Sequence, residues 1–408
     1  MPVARRLAQR AAESARSIQY RMPGRTYGWI EAVRWLGSAR KVEAVDPPSL
    51  GEAPLKAKHR VLIAPANYAG QGFRWASALN SHIPDVEARA WAYSADRAFS
   101  FPSHASLPLQ TFGLPARWHR RNFEGVVERY THVLFESGRT VFGPLFGFDV
   151  LREIRELQKR GVRVAMLWHG TDIRQPTVER AANPWSPFHD RDHRSLVRAL
   201  EARAVRNQRV LHESEVPQFF STPDLRDHVP HGTWLPVVVE SEKWLALPPP
   251  PPSTALETLF IPSNPWIKGA QLLRPSLDAL EAAGVIRLSA SGRVKPEEVL
   301  ALVRDSQIVL DQFRLHLYGV AAVEAMMAAR PVVALAGPPL REVVRALAGV
   351  ELPVVSATAS DLASVLRRLA ADGEEREKLG ELGRAYATEW HDGKASARVL
   401  ARWLEEKD

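Results

Sequence analysis

Short apolar runs alternate with amphipathic segments along most of the chain. The runs at residues 308–310 and 331–335 are aliphatic, and the segment between them, which opens near Tyr318–Gly319, has helical spacing. Two buried strands on either side of one helix indicate a βαβ unit in a parallel sheet. The polar corner from Asp311 to Gly319 should then lie at the carboxyl end of the first strand, where open α/β sheets bind ligands.

The same alternation extends on both sides of this unit. Strands that alternate with helices are typical of the α/β class. Residues 94–122 and 174–194 are predicted to be irregular loops. The pattern predicts further strands at residues 60–66, 86–93, 132–135, 162–167, 209–212, 259–262 and 285–290, with helices between most of them.

A run of prolines at residues 248–252 interrupts the alternation. Such a run is stiff and lacks the amide donors that a sheet needs, so it marks a boundary between two domains. We therefore predict an N-terminal extension and linker at residues 1–58, a Rossmann-like domain at 59–240 and a second one at 241–389.

The N-terminal extension is basic and amphipathic. Residues 3–21 place apolar side chains on one helical face among arginines, and residues 27–36 add two tryptophans. Residues 1–60 hold 12 Lys and Arg against five Asp and Glu, which is nearly all of the net charge of +8. This pattern suits peripheral contact of residues 1–45 with an anionic membrane surface. Packing of the same helices on the body or on a second subunit also explains it. Because the remainder of the chain has little excess charge, we expect no nucleic-acid partner.

The composition is that of a soluble protein with two domains. The chain has 408 residues, of which 45% are hydrophobic and 25% are charged. It has no cysteine, which excludes disulfides, thiolate nucleophiles and cysteine-ligated metals. It also lacks an apolar run of about 18 residues and the apolar core of a signal peptide, so we expect a cytoplasmic location.

Four residues carry candidate chemistry because of where they fall in the predicted elements. Gly70 and Gly72 lie in a turn between a strand and a helix, where backbone N–H groups can meet an anion. Lys268 follows the first strand of the second domain near a helix start, where a lysine can hold a phosphate. Glu324 lies among apolar residues in the first turns of a helix, which is costly unless the carboxylate has a partner.

These motifs resemble a known family. Tyr318–Gly319, Glu324–Ala325–Met326 and Pro331–Val332–Val333 resemble the donor-binding segment of retaining GT-B glycosyltransferases of family 4, the glycosyl transferases group 1. The string His169-Gly170-Thr171-Asp172-Ile173-Arg174, at the carboxyl end of a predicted strand, is similar to a second motif of this family. The resemblance extends over about residues 60–405.

The resemblance implies two Rossmann-like domains with a cleft between them and a C-terminal helix, in residues 390–408, that crosses back to the first domain. It also implies transfer of a sugar, with retention and without a metal or other cofactor, from a UDP- or GDP-sugar to a hydroxyl of a glycan, lipid-linked or small-molecule acceptor. The implied catalytic residues are His169, Lys268 and Glu324. The implied acceptor side contains Glu136, Asp172 and Arg174. The implied donor-binding residues are Gly70, Gly72, Ser263, Asn264, Lys268, Asp311, His316, Tyr318, Gly319 and Glu324.

Two positions depart from the family pattern. His316 stands where the first glutamate of the donor motif is expected, and Ser263 stands where an arginine is expected. Asp311 is a candidate substitute for the glutamate, or the donor sugar differs. A non-catalytic GT-B subunit that binds a partner enzyme or a membrane through residues 1–45 is the alternative. A sugar-nucleotide epimerase is a third reading, but it needs paired acid and base carboxylates that the spacing does not identify.

Overall fold

A computed structural model of the protein describes residues 2–22, 26–27, 30–31, 56–94, 101–289 and 294–406. Most of the predicted amphipathic segment at 27–36 and the linker at 46–54 lie outside these ranges.

The first sheet has seven parallel strands within the described residues, in the order β3-β2-β1-β4-β5-β6-β7. Its central strands are buried along almost their whole length, as expected for a parallel sheet covered on both faces. The strands are β1 (His59–Ala64), β2 (Val86–Ser94), β3 (Ala105–Pro108), β4 (His132–Glu136), β5 (Arg163–Trp168), β6 (Gln218–Phe220) and β7 (Thr233–Trp234). The accompanying helices are α1 (Pro2–Tyr20), α2 (Gln71–His82), α3 (Ala116–Arg129), α4 (Val150–Lys159), α5 (Pro176–Ala182) and α6 (Arg194–Glu213).

The second sheet has five parallel strands within the described residues, in the order β12-β11-β10-β8-β9. The predicted βαβ unit is present as β10, α11 and β11. The strands are β8 (Leu256–Phe260), β9 (Ile286–Ser289), β10 (Ile308–Leu310), β11 (Val332–Ala334) and β12 (Val354–Ser356). The helices are α7 (Ser241–Leu245), α8 (Pro265–Lys268), α9 (Ala270–Ala282), α10 (Pro296–Asp305), α11 (Val320–Met327), α12 (Pro338–Ala348), α13 (Leu362–Ala371), α14 (Gly373–His391) and α15 (Lys394–Glu405).

The C-terminal helix crosses back to the first domain, as expected. Helix α15 packs on α2, and the Trp403 ring lies 5.1 Å from the ring of His132 in the first sheet. His391 connects the crossing to both domains. Its Nδ1 atom lies 2.7 Å from the carbonyl of Val237 in the first domain, and its Nε2 atom lies 3.3 Å from the hydroxyl of Tyr318 in the second. The architecture is therefore α/β with two Rossmann-like halves joined at this crossing.

Three predictions about elements are wrong. The predicted strand at 209–212 is the last turn of α6, whose buried Val210 continues the helical face. The predicted loop at 94–122 contains β3 and the first half of α3, a helix whose Trp118, Phe123 and Val126 face the core. The predicted loop at 174–194 contains α5 and short turns that contact the second domain.

The N-terminal helix packs on the body. Helix α1 lies along α6, where the Ser195 hydroxyl donates to the Glu13 carboxylate at 2.6 Å and the Ser17 hydroxyl donates to the Arg198 carbonyl at 3.3 Å. On the opposite side, Ile18 is 60% exposed. No helix in the described ranges has both the length and the apolar character to cross a membrane.

Candidate functional site

Lys268 and the start of α11 meet at one buried carboxylate. Asp311 follows β10 and is fully buried; its Oδ1 atom accepts from Lys268 Nζ at 2.6 Å and its Oδ2 atom accepts from the Gly319 amide at 2.8 Å. Lys268 ends the short helix α8 rather than beginning a helix, and Gly269, with a φ of 83°, turns the chain into α9. Because Lys268 is 15% exposed and its ammonium has three donors, it retains N–H groups for an anion.

Glu324 lies one turn beyond Gly319 in α11 and faces charged residues from both domains. Burial raises the pKa of Glu324 to about 7, although the charges of Arg74, Lys243 and Lys268 act to lower it. Arg74, from α2 of the first domain, lies 3.1 Å from the carboxylate of Glu240, which Lys243 also contacts at 2.8 Å. Lys268 and Glu324 therefore belong to one electrostatic neighbourhood that includes the first domain.

Ser263 and Asn264 lie in the turn between β8 and α8 and are exposed. The Asn264 side chain caps α8 by accepting from the Ile267 amide at 3.2 Å, so its main contact is structural. Ser263 provides no charge at the position where an arginine is expected. The cation that follows in the chain is Lys268, at the end of α8. Asp311, the candidate substitute for the missing glutamate, has both of its oxygens in hydrogen bonds within the protein.

Tyr318 is buried at the C-terminal crossing. Its side chain is 1% exposed, and its hydroxyl lies 2.8 Å from the hydroxyl of Tyr386 in α14. Tyr318 therefore connects the second domain to the C-terminal crossing, and its ring is packed in the interior of the protein.

His169 and Glu136 form a pair at the carboxyl edge of the first sheet. His169 Nε2 lies 3.0 Å from Glu136 Oε1, at angles outside hydrogen-bond geometry. The His169 ring packs against the rings of Tyr68 and Trp75, at 5.1 and 5.7 Å. The second oxygen of the fully buried Glu136 accepts from the amides of Ala66 and Asn67, both at 2.9 Å.

The glycine turn is filled by side chains of the protein. Asn67 Oδ1 accepts from the Phe73 amide at 3.0 Å and so caps α2. A side chain on Gly72 would crowd Asn67 Oδ1 and Glu136 Oε2, at 3.3 and 3.4 Å, whereas Gly70 adopts a φ of 74° beside Phe101. The glycines thus allow Glu136 and Asn67 to approach the turn, and these two side chains accept from the amides of Ala66, Asn67 and Phe73.

Asp172 and Arg174 are almost completely buried and hold the loop after β5 in place. Asp172 Oδ1 accepts from the amides of Gly170, at 2.6 Å, and Ile173, at 3.1 Å. Burial acts to raise the pKa of Asp172, but the charges of His169 and Arg203 and the bonds to backbone outweigh it, so the pKa is lowered. Arg174 donates to Asp224 and lies 3.9 Å from Glu179, so its guanidinium is engaged within the first domain.

A second contact between the domains was not expected from the sequence. Arg314, after β10, donates to both oxygens of Asp190, at 2.7 and 3.0 Å. Trp266 Nε1 donates to the same carboxylate at 2.7 Å, and the His193 ring stacks on Trp266 at 4.4 Å. Asp190 and Asp192 form an Asp-x-Asp pair, a spacing that can hold a metal. Here Asp190 is an ion-pair partner, and no cluster of three or more metal-ligating side chains occurs in the described part of the chain.

Comparisons with known proteins agree with this architecture. Residues 271–386 match the family model described as glycosyl transferases group 1. The fold is similar to that of a sucrose-phosphate synthase from Thermosynechococcus elongatus, with 14% identity, a TM-score of 0.55 and coverage of 85% of this chain and 98% of that chain. It is also similar to a glycosyltransferase from Rickettsia africae, with 10% identity, a TM-score of 0.53 and the same two coverages. No curated protein sequence matches the chain. The protein thus has the GT-B fold, and its second domain contains the segment that matches the glycosyl transferases group 1 model.

Proposed function

We propose that the protein transfers a sugar from a nucleoside-diphosphate sugar to an acceptor hydroxyl. The observation that carries the proposal is the arrangement around α11: Lys268 and the start of this helix share Asp311, and Glu324 lies one turn further along, facing the first domain. A cation, a helix N-terminus and a carboxylate in this order suit a diphosphate followed by a ribose.

The chemistry follows from the leaving group. When the bond between the anomeric carbon and the phosphate oxygen breaks, negative charge grows on the diphosphate, and cations and N–H dipoles stabilise it. Lys268 would contact the diphosphate with the N–H groups that Asp311 does not use. Glu324 would accept hydrogen bonds from the ribose hydroxyls when it is ionised.

In the proposed reaction the configuration is retained and no metal is needed. The acceptor oxygen forms its bond to the anomeric carbon on the face that the diphosphate leaves, and the acceptor proton passes to the departing phosphate oxygen. His169, held beside Glu136, would contact hydroxyl groups of the sugar or the acceptor. UDP- or GDP-sugars are the proposed donors, and a glycan, lipid-linked or small-molecule hydroxyl is the proposed acceptor.

One observation favours the second candidate function, a non-catalytic GT-B subunit. Asp311 already neutralises Lys268 and occupies the amide of Gly319, so part of the anion site is satisfied without a ligand. The expected arginine is replaced by Ser263 and the expected glutamate by His316, and both replacements also favour a non-catalytic subunit. Such a subunit would bind a partner or the inner face of the cytoplasmic membrane through residues 1–45. The exposed side of α1, which includes Arg16 and Ile18, is available for that contact.

A thermal-shift panel of UDP, GDP, TDP and ADP separates the two functions. A ligand that binds only the folded state raises the melting temperature by mass action. We expect one nucleotide to stabilise the wild type and the exposed control Lys159→Ala, whose side chain is 67% exposed on the first domain, but not Lys268→Ala. If no nucleotide at millimolar concentration shifts the wild type, the transferase proposal fails and the subunit proposal gains.

A further inference from the structure

Several polar atoms beside the interface between the domains have no partner. Thr222 Oγ1 and Asp224 Oδ1 in the first domain, and Gln312 Oε1 and His316 Nδ1 in the second, are buried without a partner in hydrogen-bond geometry, although the Leu335 backbone lies close enough to act on the His316 ring. Gln312 is only 3% exposed. A buried polar atom without a partner costs about 1–3 kcal/mol, and native proteins keep such atoms rare. A group of them points to a polar ligand.

Packing brings the two sides of this group together. Asp224 lies in the turn Pro223–Leu225, which follows β6 and packs on α12 of the second domain. Gly337 precedes α12 and is so close to His316 that a Cβ there would lie 2.8 Å from His316 Cε1. The Asp224 charge also acts on His316 and Tyr318. Asp224 and His316 therefore lie on opposite sides of the same contact between domains.

Asp224 has one carboxylate oxygen without a partner at this contact. Asp311, which lies in the same segment after β10 as His316, has both oxygens engaged by Lys268 and Gly319. In Asp224, the Oδ2 atom accepts from Arg174, which orients the group, whereas Oδ1 has no partner. Arg174 thus acquires a role that the sequence did not indicate: it positions Asp224.

The unpartnered atoms specify the chemistry of the ligand. A carboxylate oxygen and an amide oxygen only accept hydrogen bonds, so the ligand must donate to Asp224 and Gln312. His316 and Thr222 can complete the contacts to hydroxyl groups. A second carboxylate on the ligand would be repelled by Asp224 at short range. A neutral, hydroxylated sugar meets all of these requirements.

We propose that Asp224, from the first domain, replaces the glutamate that is missing at His316 and, with Gln312 and His316, binds hydroxyl groups of a neutral donor sugar. This inference rests on the proposed function, because the sugar is the one carried by the nucleotide. It assigns donor-sugar recognition to residues of both domains, so the sugar is bound only when the domains are together.

The test compares each nucleotide with its sugar conjugates by titration calorimetry. The probes are UDP, UDP-glucose, UDP-galactose, UDP-N-acetylglucosamine and UDP-glucuronate, and GDP with GDP-mannose. The variants are Asp224→Asn and Gln312→Met, which keep the shape of the side chains, with the exposed Asp227→Asn as the matched control. Gln312→Met leaves the Arg174 pair intact and decides the question if Asp224→Asn does not fold.

We expect both site variants to bind the preferred neutral conjugate about 10- to 100-fold more weakly, the range for hydrogen bonds to charged or buried partners. Binding of the free nucleotide should change less than about twofold, and the control should match the wild type. Equal loss of nucleotide and conjugate, no loss at all, or preference of the wild type for UDP-glucuronate would overturn the inference. Absence of binding by every nucleotide would instead remove the proposed function, and this inference with it.

Discussion

Lys268 Nζ lies 2.6 Å from Oδ1 of Asp311, a carboxylate with no exposed surface, and the other oxygen of that carboxylate accepts from the amide of Gly319, which immediately precedes α11. The pair joins the end of α8 to the turn after β10, so it fixes the relative position of two segments at the same edge of the second sheet. A buried ion pair is costly to break on one side only, because the remaining charge has no counterion.

This relationship predicts the effect of Lys268→Met on stability. The change should lower the free energy of unfolding by about 2–4 kcal/mol, since Asp311 is left buried without its cation. The double change Lys268→Met with Asp311→Asn should recover part of that loss. Urea unfolding of the four proteins of the cycle measures both effects.

Lys159→Met is the control, because the pair of Lys159 with Glu156 is exposed and should contribute less than about 1 kcal/mol. If the double variant is less stable than Lys268→Met alone, Asp311 is not destabilised by the loss of the lysine and the argument fails.

The second prediction concerns the pH dependence of stability at Glu324. Its pKa is raised by burial to about 7, so the folded state binds this proton more tightly than the unfolded state. Stability therefore falls as the pH rises from about 4.5 to above 7, by on the order of 2 kcal/mol. Glu324→Gln, which cannot ionise, should remove this slope.

The measurement is a set of urea unfolding curves between pH 5 and pH 8. The difference in stability between Glu324→Gln and the wild type should grow with pH in favour of the variant. A difference that stays constant over this range would show that Glu324 titrates alike in both states.

The sequence predicted the parts of the fold that depend on local pattern. The unit β10–α11–β11 was recognisable because two aliphatic runs flank one amphipathic segment, and Glu324 followed from its place in that segment. Lys268 followed from its place after the first strand of the second domain. The run at 209–212 was misread, because a short apolar run looks alike in a buried strand and in the last turn of a helix such as α6.

The rest of the site depends on contacts between distant segments. The sequence around Asp224 does not show that its turn packs on α12. The sequence around Tyr318 does not show that its hydroxyl is hydrogen-bonded to the hydroxyl of Tyr386. The departure at His316 was visible in the sequence. Its proposed compensation from the first domain required the arrangement of both domains.

The third prediction concerns His391, which joins the C-terminal crossing to both domains. Its Nδ1 atom donates to the Val237 carbonyl, so the neutral ring accepts at Nε2 from Tyr318. Burial lowers the pKa of His391 to about 4, and the unfolded state therefore binds more protons between pH 6.5 and 4. Stability should fall as the pH decreases through this window, with His391 contributing on the order of 2 kcal/mol.

His391→Asn keeps a donor near Nδ1 and removes the titration. The variant should lose stability at neutral pH but should approach or exceed the wild type near pH 4, as thermal or urea unfolding would record. Burial also lowers the pKa values of His119 and His228 to about 4. Both the variant and the wild type should therefore still lose some stability in acid. Parallel curves for variant and wild type would contradict the assignment.

The last prediction concerns the contact between Arg314 and Asp190, which holds the loop at residues 183–193 against the second domain. Arg314 makes a two-pronged bond to Asp190 and also donates to the carbonyls of Trp185 and Ser186, both at 3.1 Å. Bidentate pairs of this kind are among the stronger polar contacts in proteins. Arg314→Met removes all four bonds while it keeps much of the apolar stem.

We expect amide hydrogen exchange in residues 183–193 to become at least about tenfold faster in Arg314→Met, because local opening loses contacts of more than about 1.4 kcal/mol in total. The control is Arg304→Met, since the Arg304 pair with Asp305 is exposed on both sides. Exchange in α8 should rise with that of the loop, because Trp266 shares Asp190 with Arg314. If the loop exchanges faster while α8 does not, the two domains are held together by other contacts, and the Asp190 cluster orders only its own loop.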